Sequence, residues 1–95
     1  MTRDYSRLLE ELRASYAERF RLSGQLQERA ARVMVDGGSH TARLVPQFPC
    51  WVRSAMGGHV RDMDEHDIVD LWQGHFANLL GHNPPAITRE LEAAL

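Results

Sequence analysis

The chain has 95 residues, a formal net charge of −2 and one cysteine. That length allows one small domain burying somewhat over ~60% of its unfolded surface. The charge balance, 11 basic against 13 acidic residues, points away from a nucleic-acid or polyanion partner. Cys50 alone forms no internal disulfide, which fits a reducing cytoplasm, and the charged, amphipathic start offers neither a signal-peptide core nor a membrane span.

In chain order, Tyr5 to Leu22 reads as an amphipathic helix. Leu8, Leu9, Leu12, Tyr16 and Phe20 recur at helical spacing as one apolar stripe. Arg3, Arg7, Glu10, Arg13, Glu18 and Arg21 take the other faces. The stripe serves either an oligomer contact or an ordinary core-facing packing. Ser23-Gly24 is the expected break, because Ser caps helix starts and Gly weakens helix interiors. A second helix from about Gln25 to Val35 places Leu26, Ala30, Val33 and Met34 on one side, and Gly37-Gly38 ends it as a glycine cap. Ser39 to Pro49 is extended and irregular, with Pro46 and Pro49 excluding helix and His40, Thr41 and Arg43 as its polar residues.

From Trp51 onward the pattern changes to strands. Trp51, Arg53, Ala55 and Val60, Arg61, Met63 carry the rhythm of half-buried strands around Gly57-Gly58, a pair suited to a two-residue hairpin turn. The acidic stretch Asp62 to Asp67 reads as a β-turn; it lacks the glycine and distal glutamate of a calcium loop. Ile68 to Trp72 returns as a third strand, and Gln73 to Asn78 forms a loop containing Gly74 and His75. His82 reads as holding the start of the last helix, with Asn83 as N-cap and Pro84-Pro85 opening it. The five histidines match no zinc spacing. The expected organisation is a helical arm over 1–36, an extended loop over 37–49 and an antiparallel meander plus helix over 50–95.

These residues carry a resemblance. Ala55-x-Gly57, Asp62-x-Asp64, Asp70, Gly74 and Gly81-His82-Asn83-x-Pro85, with Gly37-Gly38, His40, Arg43 and Phe48-Pro49 upstream, resemble the N-terminal part of class III pyridoxal-phosphate aminotransferases. Within the family the pattern is most similar to the branch containing glutamate-1-semialdehyde aminomutase, and it runs from Ser23 to Leu95. The resemblance implies an α+β fragment of the fold type I architecture: N-terminal helices, a three-stranded antiparallel meander and a C-terminal helix. It implies pyridoxal phosphate in the complete enzyme, a small amino substrate, and as partners the remainder of the enzyme and a second subunit in a homodimer. By family position, Arg43 and Thr41 reach a substrate from the extended loop, and Gly74 and His75 face it after the third strand. The plainer alternatives are that Arg43 ties down its own turn and that His75 is only a turn residue. The family has Gly where Glu65 stands, so a changed turn is expected there.

One compositional fact bears on catalysis. All 11 Lys-plus-Arg residues are arginine. The family holds its cofactor as a Schiff base on a lysine amine, and a guanidinium stays protonated and cannot substitute. In the family, that lysine and the phosphate-binding loop lie beyond the matching region. The chain ends at Leu95 inside an amphipathic pattern, so the expectation is the front part of a larger enzyme, inactive alone. The competing expectation is a stand-alone, non-catalytic interaction module that keeps the same fold.

Overall fold

The computed structural model describes residues 4–95; Arg3, expected on the polar face of the first helix, lies outside them. The chain divides into two compact units, Met1–Trp51 and Val52–Leu95.

The first unit begins with α1 (Ser6–Arg19). At its start the Asp4 carboxylate accepts bonds from the Ser6 amide at 2.9 Å and the Ser6 hydroxyl at 2.6 Å. The hydroxyl, then the amide, holds Asp4 below its ordinary pKa of 3.8. α1 runs into α2 (Arg21–Ala30) across Phe20, whose φ of −110° and ψ of 45° interrupt the helix. The break therefore falls at Phe20 and not at Ser23-Gly24, which lie inside α2. The reason is packing. Tyr16 stacks against Phe20 and Phe48, with ring centroids 4.6 and 5.1 Å apart, and its hydroxyl donates to the Phe48 carbonyl at 2.9 Å. Ser23 is fully buried and accepts the Trp51 amide at 2.9 Å. A Cβ on Gly24 would sit 3.3 Å from the Phe48 ring. Both residues are small because the returning chain crosses them, and neither is a helix breaker here.

α2 stops at Ala30, short of the expected Val35. Two short 3₁₀ turns follow, Val35–Gly37 and Thr41–Arg43, the second within the segment expected to be extended. Gly37 does terminate structure, at a φ of +72°, but it closes the 3₁₀ turn, and its carbonyl accepts from Gln27 Nε2 at 3.0 Å.

The second unit is a meander of β1 (Val52–Met56), β2 (His59–Asp62) and β3 (Asp67–Val69), antiparallel in the order β1-β2-β3. A C-terminal helix, here numbered α4 (Pro85–Ala94), has Pro84 at its N-cap and Pro85 at its first position, as the Pro-Pro pair implied. The α+β class and its helix–meander–helix order are those read from the sequence. Met56 pairs with His59 across Gly57-Gly58. Only Gly57 has positive φ, the φ pattern of a type II′ turn. The register shifts between Val52 and Ser54, leaving Arg53 in a bulge.

Two expectations fail in the meander. The third strand ends at Val69 and not at Trp72, because the Asp70 carboxylate collects the next amides and turns the chain. Glu65 adopts the left-handed conformation, φ 69°, and the turn keeps the geometry that favours glycine. The closure around it is strong: the fully buried Asp62 carboxylate accepts the His66 amide and meets His66 Nδ1, each at 2.7 Å. Burial, the largest influence on Asp62, pushes its pKa up; the bonds from the His66 ring and amide outweigh it, and the net shift is below 3.8. Glu65 in turn pairs with Arg53 and Arg61. These pairs are exposed and offset at most ~1 kcal/mol of the strain.

Candidate functional site

The chain leaves β3 at a strained turn held at both ends. Asp70 Oδ1 accepts the amides of Trp72 at 2.8 Å and Gln73 at 3.1 Å. The next four residues, Gln73 to Phe76, have φ values of 46°, 59°, 60° and 63°. They form α3 (Gln73–Phe76), a single turn wound left-handed, closed by Phe76 N–H to Trp72 O at 2.8 Å and Asn78 N–H to Gln73 O at 3.1 Å. Glycine takes this conformation freely, and Gly74 does. Gln73, His75 and Phe76 each pay roughly 1–2 kcal/mol for it.

The exit of the turn is tied to its beginning. His82 Nε2 lies 2.6 Å from Asp70 Oδ2, and Asn78 Nδ2 lies 3.3 Å from His82 Nδ1. A carboxylate only accepts, so His82 donates through Nε2–H, and its Nδ1 is free to accept from the Asn78 amide. The His82 backbone exchanges two hydrogen bonds with Gly57, at 2.8 and 2.9 Å, seating the exit on the β1–β2 turn. Gly81, at φ +78°, is required there: a Cβ would lie 2.8 Å from the Gly57 carbonyl oxygen. The His82 ring, then the Gln73 amide, holds Asp70 below its ordinary pKa of 3.8.

What the turn presents is chemically mixed. His75 is exposed, edge-on to Trp72 with centroids 4.9 Å apart, and Phe76 packs on the same indole at 5.2 Å. Gln73 Nε2 donates to the Asp70 carbonyl at 3.0 Å, while its Oε1 is buried with no hydrogen-bond partner among the described residues. Beyond the turn, a hollow of about 530 Å³ is lined by Asn78, Leu79, Leu80, His82, Ile87 and Leu91 among others.

Of the residues singled out from the sequence, Gly74 and His75 share this left-handed turn. Thr41 and Arg43 share the 3₁₀ turn of the first unit. That turn is tied to itself: Arg43 donates to Ser39 Oγ at 2.9 Å, and His40 Nδ1 accepts the Ala42 amide at 3.1 Å. His82 holds Asp70 and Gly57 and not the helix start. Asn83 is not the N-cap; it takes a φ of 47° and its side chain donates to the Ala55 carbonyl at 2.8 Å. Asp70 was visible only as a matching position, and Asn78 went unremarked. The visible signal for Asp70 was its place just before a loop, where aspartate binds following amides.

No protein-family model matches the chain. Among curated proteins it is 37% identical over 70 residues to glutamate-1-semialdehyde 2,1-aminomutase 1 of Cenarchaeum symbiosum, covering 74% of this chain and 17% of that one. It is 41% identical over 64 residues to the glutamate-1-semialdehyde 2,1-aminomutase of Halobacterium salinarum, covering 66% and 14%. Among solved structures, a β-phenylalanine aminotransferase from Variovorax paradoxus superposes at a TM-score of 0.90 with 22% identity, over 96% of this chain and 21% of that one. A transaminase with pyridoxal phosphate bound superposes at 0.76 with 32% identity, over 79% and 18%. The fold is thus that of a part of the fold type I aminotransferases. The chain is similar, over about three quarters of its length, to glutamate-1-semialdehyde aminomutases, as a segment of the class III pyridoxal-phosphate aminotransferase kind, and spans about a sixth of the length of the curated relatives it matches.

Proposed function

We propose that this chain is the N-terminal portion of a pyridoxal-phosphate-dependent class III aminotransferase or aminomutase acting on an amino acid or amino-aldehyde. Its residues do not fit covalent capture of the cofactor, because the sequence holds no lysine and arginine does not lose its proton. In this reading the lysine comes from the remainder of the enzyme, and this segment supplies substrate and subunit contacts within a homodimer.

The observation that carries the reading is the left-handed turn. Backbone strain of this kind clusters at sites where geometry serves a ligand, and here it falls on Gln73, His75 and Phe76 around Gly74; Gly74 and His75 are the positions the family turns toward substrate. Gly74 lets a ligand approach the backbone, and His75 offers a ring for stacking or a hydrogen bond. Arg43 is the candidate partner for a substrate carboxylate, which a guanidinium binds bidentately, with Thr41 beside it. The absence of lysine and the exposed Leu71 and Leu79 favour the second reading, a non-catalytic module that binds a partner protein.

The test is a chimera. This chain's residues replace the matching segment of the Cenarchaeum symbiosum aminomutase, and aminomutase and transaminase activities are assayed. Activity is expected. His75→Ala and Arg43→Ala in that chimera are expected to lower kcat/KM by about ten- to a hundredfold, the loss of one charge-assisted or ring contact, with cofactor binding intact. An inactive but folded, cofactor-loaded chimera overturns the enzyme reading. Unchanged kinetics in both variants overturns the site assignment.

A further inference from the structure

The left-handed turn poses a problem that its own bonds do not solve. Four successive residues sit at positive φ, three of them other than glycine, and within the turn three backbone hydrogen bonds close it, one of them long at 3.4 Å. Its position depends on what lies just outside. The Asp70 carboxylate is split between two tasks, with Oδ1 on the amides that begin the turn and Oδ2 on the ring that ends it. His82 is likewise split, its ring on Asp70 and Asn78 and its backbone on Gly57. The two residues therefore join beginning, end and hairpin through one chain of donors that requires a single tautomer: Asn78 Nδ2–H to Nδ1, then Nε2–H to the carboxylate.

We infer that Asp70 and His82 are positioning residues: their pair is a clasp that holds Gln73 to Phe76 in the left-handed form and so sets where Gly74 and His75 point. The inference rests on the reading above only for what the turn faces. The clasp itself is a statement about this chain's geometry. Neither residue need touch substrate, and the hairpin, closed by its own Gly57-Gly58 turn and ladder, does not need the clasp to form.

Nuclear magnetic resonance of the 95-residue chain tests this with three variants. The reporters are the cross-peak between the Trp72 and His75 rings for the turn, the Ala55–Val60 cross-strand contact for the hairpin, and the ¹⁵N shifts of His82 for its tautomer. In the unsubstituted chain all three are expected, with His82 protonated at Nε2. Asp70→Asn and His82→Leu are expected to abolish the Trp72–His75 cross-peak and keep the hairpin contact. In Asp70→Asn the His82 ¹⁵N pattern is expected to leave the single-tautomer values. His82→Gln, whose amide still donates toward the carboxylate, is expected to restore the cross-peak. Retention of the cross-peak in Asp70→Asn or His82→Leu overturns the clasp, as does simultaneous loss of the hairpin contact or no recovery in His82→Gln. The result is separable from the kinetic test: a clasp that opens as expected, alongside unaltered kinetics of both His75→Ala and Arg43→Ala in the chimera, overturns the site assignment and leaves the clasp standing.

Discussion

Three glycines around the hairpin turn separate backbone strain from steric collision, and alanine at each gives a graded prediction. Gly81 has both: a φ of +78°, and a would-be Cβ 2.8–2.9 Å from the Gly57 carbonyl oxygen, carbonyl carbon and Cα. Backbone atoms cannot move aside as a flexible side chain does. Gly57 has the φ of +56° but open space around it, and Gly58 has neither constraint. Left-handed geometry costs alanine roughly 1–2 kcal/mol, overpacking adds about 1–3, and the lost freedom of the unfolded chain returns about 0.4–1. Gly81→Ala should therefore cost about 1–4.5 kcal/mol, Gly57→Ala about 0–1.5, and Gly58→Ala should be neutral or slightly stabilising. Hydrogen exchange of the hairpin amides reads these as opening free energies even in a marginal fold. In rate, Gly81→Ala is expected to exchange faster by roughly fivefold to a thousandfold, and Gly57→Ala by roughly tenfold at most, at 1.4 kcal/mol per decade. The order is the decisive part. If Gly57→Ala costs as much as Gly81→Ala, or Gly81→Ala costs nothing, the His82–Gly57 pairing does not seat the turn as described.

Acid should loosen the second unit in a defined window. Asp62 and Asp70 both have native pKa values below the ordinary 3.8, so their stabilisation is complete above that value and is lost as pH falls through the lower native ones; cross-strand resonances should hold from pH 7 to about 5 and fade below about 4. Pyridoxal phosphate followed by borohydride should leave no adduct on any internal residue, read by peptide mass mapping, because no lysine is present; a mapped internal adduct refutes this. Isolated chain should bind a hydrophobic dye or self-associate in sedimentation, since Val33, Val35, Leu71, Leu79 and Leu80 are all more than 70% exposed; a dye-negative, concentration-independent monomer contradicts it.

The elements that were legible in the sequence are those decided by residues near one another. Gly57-Gly58 announced a hairpin, Pro84-Pro85 announced a helix start, and both stand where expected. What the sequence concealed depends on partners far along the chain. Nothing local to Ser23 and Gly24 shows that Phe48 and Trp51 return across them, so small residues chosen for packing read as a helix break. Asp70 and His82 are twelve positions apart and meet only because the hairpin brings Gly57 to the loop's exit. Glu65 misled for another reason. Its propensity argues against positive φ, but the buried Asp62–His66 closure had already fixed the turn, and local preference yielded.

The distribution of burial explains why the strain is held by polar groups. Among the described residues Ala30 is the one buried apolar side chain, while the buried positions otherwise include Ser23 and Asp62. A unit with so little apolar burial cannot draw on packing to offset the three left-handed residues of the Gln73–Phe76 turn, a cost of roughly 3–6 kcal/mol against the 5–15 typical of a whole domain. The offset must come from bonds whose loss would leave charged groups unsatisfied. Those bonds converge on the two aspartates: Asp62 at one end of β2, and Asp70 just past β3, each receiving two or more donors. Such an arrangement fixes shape without needing a core of its own. It suits a segment whose large apolar side chains, Leu71, Leu79, Leu80 and Leu91 among them, stay exposed. A turn held by carboxylates keeps its geometry whether or not those side chains are covered, which is what the proposed presentation of the His75 ring to a substrate would require.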